Sequence, residues 1–179
     1  VRPESRRQTG DTEEPAVIDP EDFALADAFG QGEFVISPLA VATISAAIIN
    51  GGNGPQPFTL LAARNGPDAE WADRQMIRPT IPVTTAEGAA LLRNLMLASV
   101  SDGSATAAQR PGLEIGGQSA VAIAGDTRML AWFTGFVVVE GRAGYAVAVL
   151  LEDTDAHTLA AEIGGQTLEA AVQSISATE

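Results

Sequence analysis

Few side chains in this sequence can do chemistry, and their scarcity limits which chemistry is open to it. The 179 residues contain no Cys and a single His, His157, and all ten basic residues are Arg, with no Lys anywhere. Without Cys there is no disulfide, no thiol nucleophile and no cysteine metal site. One His cannot supply a two-His metal motif. Without Lys there is no P-loop, no Schiff-base amine and no Ser-Lys catalytic pair. What remains is a hydroxyl and an amide in the run Gly117-Gln118-Ser119-Ala120, and His157 following the acids Glu152, Asp153 and Asp155. Ser119 as a nucleophile would need a base, and none stands near it in sequence, so it is expected to be a strand hydroxyl. Gln118 can hydrogen-bond a ligand but carries no charge. His157 is expected on the surface or in a helical first turn. The three acids offer oxygen ligands to a cation. They lack the Gly and terminal Glu of a calcium loop, so a solvated cluster at a helix N-terminus is expected instead. Trp132, Phe133 and Phe136 read as packing residues rather than a binding platform. No metal site and no cofactor are expected.

The charge balance excludes further classes. Asp and Glu number 23 against 10 Arg, a net charge of −13, which repels a phosphate backbone and argues against a nucleic-acid partner. No apolar run reaches the roughly 18–20 residues that span a bilayer. At 46% hydrophobic residues the chain can bury a core, and its length fits one domain. The absence of Cys is compatible with either side of a membrane and does not set the compartment. The sequence opens on Val1 with no visible signal peptide, and is read as a processed or partial chain.

The elements that must position these residues follow from pattern. Residues 1–22 are polar, with Pro3, Pro15 and Pro20, and are expected to form an extended or disordered lead-in to a domain over 23–179. Ser37-Pro38 opens a helix over about 37–50, Ser as N-cap and Pro at the first helical position. It is apolar nearly all round, which predicts a buried helix, and Asn50-Gly51-Gly52 ends it. A Pro-rich connector follows, with a short strand expected around Phe58–Ala63. A second helix over about 84–101 begins at Thr84 or Thr85, with Glu87 placed as in a capping box. Leu91, Leu92, Leu95, Met96 and Val100 make its apolar face, and Asp102-Gly103 stops it. The period then changes to three strands, Leu113–Ala124, Met129–Glu140 and Tyr145–Glu152, whose short connections favour antiparallel pairing. A last helix fits 158–174, with Gly164-Gly165 as its weak point. The expected fold is α+β, an antiparallel three-stranded meander over about 113–152 packed with helices.

Taken together, these segments resemble the C-terminal half of the penicillin-binding protein transpeptidase domain, the fold shared with serine β-lactamases. The run Phe29-Gly30-Gln31-Gly32 through Ser37-Pro38-Leu39-Ala40 is similar to the family's GQG…TPLQxA segment, and Asn50-Gly51-Gly52 ends the following helix as in the family. Pro57-Phe58-Thr59-Leu60-Leu61 stands where the family has a P-x-L-V strand, and Val100–Ala105 resembles its V…GTA run. Ala131-Trp132-Phe133-Thr134-Gly135-Phe136 resembles its AWFxGF strand. The likeness runs from about Ala24 to Val172. It implies a truncated transpeptidase-like fold, and a cell-envelope location by resemblance alone.

The family acts through Ser-x-x-Lys, Ser-x-Asn and Lys-Thr-Gly motifs. The resemblance places the third on Gln118, Ser119 and Ala120 and the first two upstream of the matched region. Gln118 supplies no cation for a substrate carboxylate, and Ala120 adds a methyl where Gly admits a substrate backbone. The function implied is that of a non-catalytic, transpeptidase-like domain with a binding or scaffolding role. The alternative is the C-terminal portion of a D,D-transpeptidase or carboxypeptidase completed by a separate or upstream N-terminal half. The resemblance also implies that the last strand has lost its neighbour. Ala146, Val147, Ala148, Val149 and Leu150 would then be an open pairing edge. A fold-back of Ala16-Val17-Ile18, a second copy or a protein partner would each cover it.

Overall fold

The computed structural model describes residues 35–58, 62–73, 79–125, 127–140 and 144–176. The chain divides into two units, Val1–Phe34 and Val35–Glu179, and the described residues belong to the second. The expected lead-in over 1–22, the Phe29–Phe34 part of the family-like run and the Ala16–Ile18 candidate strand lie outside the described residues.

In chain order the elements are α1 (Pro38–Ile49), β1 (Asn53–Pro55), β2 (Ala62–Ala63), β3 (Ala72–Asp73), β4 (Thr80–Pro82), α2 (Ala86–Asp102), a 3-10 turn (Thr106–Ala108), β5 (Glu114–Ala124), β6 (Arg128–Val138), β7 (Tyr145–Glu152) and α3 (His157–Ser176). The fold is α+β. Strands β5, β6 and β7 form an antiparallel meander in that order, β1 pairs with β4, and β2 pairs with β3. Gly125, at φ +61, opens the turn from β5 to β6.

The pleat divides the three-stranded sheet into two faces. On one face Ile115, Phe133 and Val137, flanked by Tyr145, Val147, Val149 and Leu151, pack on Ala160, Ala161 and Leu168 of α3 and on Val100, Ala105 and Ala108. Phe133 is fully buried there, a burial that stabilises by roughly 1.5–3 kcal/mol. Its ring lies against Gly117 and Gly135, where a Cβ would stand only 2.5 and 2.6 Å from it, and against Gly164 of α3. The Gly164-Gly165 pair is therefore a packing requirement rather than a flaw. Gly164 admits the Phe133 ring, and Gly165 admits the Ala108 backbone. The opposite face carries Phe136, also fully buried, with Gln118 and Thr134 in register. Helix α1 packs over β6 and β7 on that side, with Ser45 meeting Thr134.

Four local expectations change. Helix α1 is buried along one strip only, at Ser45, Ala47 and Ile48, while Leu39 is 61% and Ile44 40% exposed. The predicted apolar face of α2 reaches the core only through Val100; Leu91, Leu92 and Leu95 are exposed. Local pattern identifies an apolar stripe but not whether a neighbour covers it. The strand expected around Phe58–Ala63 is reduced to β2 at its end, with residues 59–61 outside the described set. The cap of α2 is Thr85, whose Oγ1 accepts from Gly88 N at 3.1 Å. This places Glu87 at the second helical position, one short of the capping-box position. There it serves the helix dipole instead.

Candidate functional site

Three elements converge on Gln118, Ser119 and Ala120. Ser37 caps α1 by accepting from Ala40 N at 3.2 Å, and Pro38 pre-sets its first turn. From there α1 delivers Ser45, 1% exposed, to Thr134, the two hydroxyl oxygens standing 2.6 Å apart. Thr134 lies opposite Gln118 on β5 and opposite Ala148 on β7. Helix α2 runs beside β5: Arg93 Nη2 donates to Glu114 Oε1 at 2.6 Å, and Ser99 Oγ donates to Gln118 Oε1 at 3.0 Å.

Between α1 and α2, over β5 and β6, lies an open cleft of about 310 Å³. Its walls are Val41, Ile44 and Ile48 of α1 and Leu92, Leu95 and Met96 of α2, and its polar floor is Ser45, Gln118 and Thr134. Among the described residues no ionisable side chain lines it. Gln118 is exposed to this cleft but is held on both ends, since its Nε2 also donates to Ser119 O at 3.4 Å. A neutral amide anchored by Ser99 can offer hydrogen bonds to a ligand, and it offers no charge.

Ser119 faces away from the cleft. It is 4% exposed, and its hydroxyl donates to Ser104 O at 2.7 Å, while Ser104 Oγ donates back to Ser119 O at 3.4 Å. That clasp ties the loop after α2 to the middle of β5. Its hydroxyl has neither a base nor access to a substrate, both of which a nucleophile needs. Ala120 is exposed on the Gln118 side of the strand and is paired with Trp132.

The remaining sequence candidates stand apart. His157 is the first residue of α3, with Nδ1 3.1 Å from Asp155 O. Arg128 engages Glu152 at 3.6 Å and Asp153 at 3.9 Å, and Asp153 takes φ 57. Among the described residues no group of three or more His, Asp or Glu side chains is placed to hold a metal ion. Phe133 and Phe136 are buried on opposite faces and Trp132 is half-buried, so the three do not make one platform.

Sequence reasoning missed the rest of the floor. Thr134 was readable, because the hairpin register sets it across from Gln118. Ser45 and Ser99 carry no sequence signal, since only helix placement brings them to the strand. A second cavity, about 660 Å³, lies between the end of α2, Gln109–Leu113 and the start of β5. Arg110 lines it, yet its guanidinium is taken by the carbonyls of Ala107 (3.1 Å) and Glu162 (2.8 Å) and by Glu169 (3.6 Å). It presents no free cation.

The cleft and the strands beneath it lie within a stretch that a protein-family model matches. The family model described as the penicillin binding protein transpeptidase domain matches residues 7–172. The chain belongs to the penicillin-binding protein transpeptidase domain family. It is similar to penicillin-binding protein A from M. tuberculosis, solved as an imipenem acyl-enzyme complex, at 31% identity and TM-score 0.69, over 80% of this chain and 32% of that one. Another structure of that M. tuberculosis protein gives 29% identity and TM-score 0.67, over 80% of this chain and 34% of that one. The D,D-transpeptidase domain of a peptidoglycan glycosyltransferase from Eggerthella lenta shares the fold, at 24% identity and TM-score 0.61, over 75% of this chain and 32% of that one. The chain thus spans about a third of the length of these relatives. No curated protein sequence gives a match. Among the described residues no helix is long and apolar enough to cross a membrane.

Proposed function

We propose that this chain is a non-catalytic, penicillin-binding-protein-like domain that serves a binding or scaffolding role in the cell envelope. The observation that carries this reading is the state of the third motif. Gln118, at the position of the family's Lys, is neutral and anchored to Ser99, and Ser119 spends its hydroxyl on the backbone carbonyl of Ser104. A chain without any ammonium side chain also lacks the amine that accepts the nucleophile's proton in this family. Losing the charge-assisted bond to a substrate carboxylate weakens recognition by about 1.5–3 kcal/mol. The envelope location follows from family membership alone.

The test is incubation of the purified chain with a fluorescent penicillin, followed by intact-mass measurement. The mass is expected to be unchanged. Stoichiometric covalent labelling would overturn the reading.

A second reading is favoured by one observation: the chain spans about a third of its relatives and leaves an uncharged cleft open beside the third motif. In that reading it is the C-terminal portion of a transpeptidase, completed by another half. Co-expression with a transpeptidase N-terminal half bearing Ser-x-x-Lys would then restore penicillin acylation. An unlabelled pair would exclude it.

A further inference from the structure

Asn-Gly occurs three times in this chain, at Asn50-Gly51, Asn53-Gly54 and Asn65-Gly66, and Asp-Gly once, at Asp102-Gly103. Each places the least hindered backbone nitrogen beside a side-chain carbonyl carbon that it can attack. The pairs look alike in sequence, and their surroundings differ. Three are restrained. Asn50 caps the end of α1, its Nδ2 donating to Asn53 O at 2.7 Å and its backbone N to Ala47 O at 3.1 Å. Asn53 lies in β1 opposite Pro82, and Gly54 is buried where an added Cβ would stand 3.2 Å from Thr43 Cγ2 and Val83 Cγ2. Gly103 N donates to Ser99 O at 3.0 Å, which engages the nitrogen that would attack Asp102. Asn65 and Gly66 are both exposed, in the turn that joins β2 to β3. Ala69 N donates to Gly66 O there at 3.4 Å, a bond that uses neither the Asn65 amide nor the Gly66 nitrogen. Gly66 takes φ +101, and the space beside its Cα is open. The flanking ladder is two residue pairs long, the kind of small unit that opens locally at low free energy.

We propose that Asn65 is a site of spontaneous covalent modification in the folded chain, converting to aspartate and isoaspartate ahead of Asn50 and Asn53. The Gly66 nitrogen gives its proton to solvent base and bonds to Asn65 Cγ. The Cγ–Nδ2 bond breaks, and Nδ2 leaves as ammonia, taking a proton from solvent. Water then opens the resulting five-membered succinimide at either carbonyl. Opening at Cγ restores the main chain and leaves an aspartate. Opening at the main-chain carbonyl leaves an isoaspartate, in which the backbone runs through the former side chain. One water is consumed, one ammonia is released, and nothing is oxidised or reduced. Either product sets a carboxylate next to Arg64, whose guanidinium lies 4.9 Å from the centroid of the Trp71 ring. The isoaspartate also lengthens the turn by one backbone atom, in a hairpin whose ladder is only two pairs long. Breaking a hydrogen bond such as the one from Asn50 Nδ2 slows a reaction by about two- to tenfold, so the restrained pairs lag by at least that factor.

The test is a time course of the full chain in mildly alkaline buffer, folded in one arm and held in denaturant in the other. Peptide mapping by tandem mass spectrometry follows the mass change of NH2 to OH at each Asn, and an isoaspartate-specific methyltransferase assay detects the rearranged product. In the folded arm Asn65 is expected to convert about two- to tenfold faster than Asn50 and Asn53, or by a larger factor. In denaturant the three are expected to converge, because what separates them is conformation. Ion exchange should resolve the folded product as a more acidic species. That species should not form in Asn65→Gln, where closure needs a six-membered ring. An Asn65 that stays intact in the folded chain, or that falls behind Asn50 or Asn53, overturns the proposal. A ranking that is the same in both arms overturns it as well, since sequence rather than structure would then set the order. None of these outcomes bears on penicillin acylation, so this site and the non-catalytic reading fail separately.

Discussion

Replacing Gly164 by Ala inside α3 sets two forces of opposite sign against each other. Helix propensity alone favours the change by about 1 kcal/mol, since Ala restricts the unfolded chain and Gly does not. Packing opposes it. The added Cβ would overlap Cδ1 and Cε1 of Phe133 and stand 3.1 Å from Cγ. The ring is fully buried and already pressed on Gly117 and Gly135, so it has no free direction in which to yield. Overpacking of this kind costs about 1–3 kcal/mol, and a contact this deep belongs at the upper end. The net expectation is a destabilisation of about 1–2 kcal/mol, after the propensity gain is subtracted. In a domain of this size that lowers Tm by roughly 2–8 °C. Urea unfolding of wild type and variant, compared at constant m, gives the free-energy difference. Adding Phe133→Leu to Gly164→Ala should cost less than the sum of the two single changes, because the smaller side chain removes the overlap. A higher midpoint for Gly164→Ala, or strict additivity with Phe133→Leu, would refute the account of how α3 seats on the sheet.

Four further outcomes are expected. Gly165→Ala should destabilise at least as much as Gly164→Ala in the same denaturation, since the Cα and carbonyl carbon of Ala108 stand 2.9 Å from the new Cβ and backbone does not rotate away. Thr85→Ala removes the hydroxyl that caps α2 and should cost about 1 kcal/mol, read by thermal unfolding, while Thr85→Ser is nearly neutral. Ser119→Ala removes a buried donor from the Ser104 carbonyl and should cost about 1 kcal/mol without altering the response to a fluorescent penicillin; covalent labelling that disappears in this variant would reverse the role assigned to Ser119. Leu95→Glu in the cleft wall should change stability by no more than about 0.5 kcal/mol, because Leu95 is 58% exposed, and should lower the fluorescence of a bound apolar dye.

Legibility in the sequence followed the range of the forces involved. The three strands, the ends of α2 and the body of α3 were all readable, because period, turn residues and caps act over a few residues. Tyr145–Glu152 was read at its observed ends. The exposed flanks of α1 and α2 were not readable, because Leu39, Ile44, Leu91 and Leu95 look the same in sequence whether or not a neighbour covers them. The glycine pair in α3 was misread for the same reason. Propensity marks it as a weak point, and only Phe133 and Ala108, some thirty and nearly sixty residues away along the chain, show that it is needed. Within the site, the amide and hydroxyl of Gln118 and Ser119 were visible as residue types. Their partners Ser99 and Ser104 were not, nor was the Ser45 that meets Thr134 beside them.

The linear order of residues by itself determined which reactions are closed to this chain. A side-chain ammonium, a thiol or a second imidazole is either encoded or absent, and folding cannot supply it. The same order determined the period of each element, since the alternation of a strand and the caps of a helix are local properties. Tertiary structure alone decided which way each group points. It turned Ser119 inward to a carbonyl and Gln118 outward to a cleft, laid a phenyl ring over three glycines, and placed Ser45 on Thr134 across 89 positions of chain. Those outcomes depend on how helices seat on a sheet, a balance of many distant contacts that no short window of sequence contains.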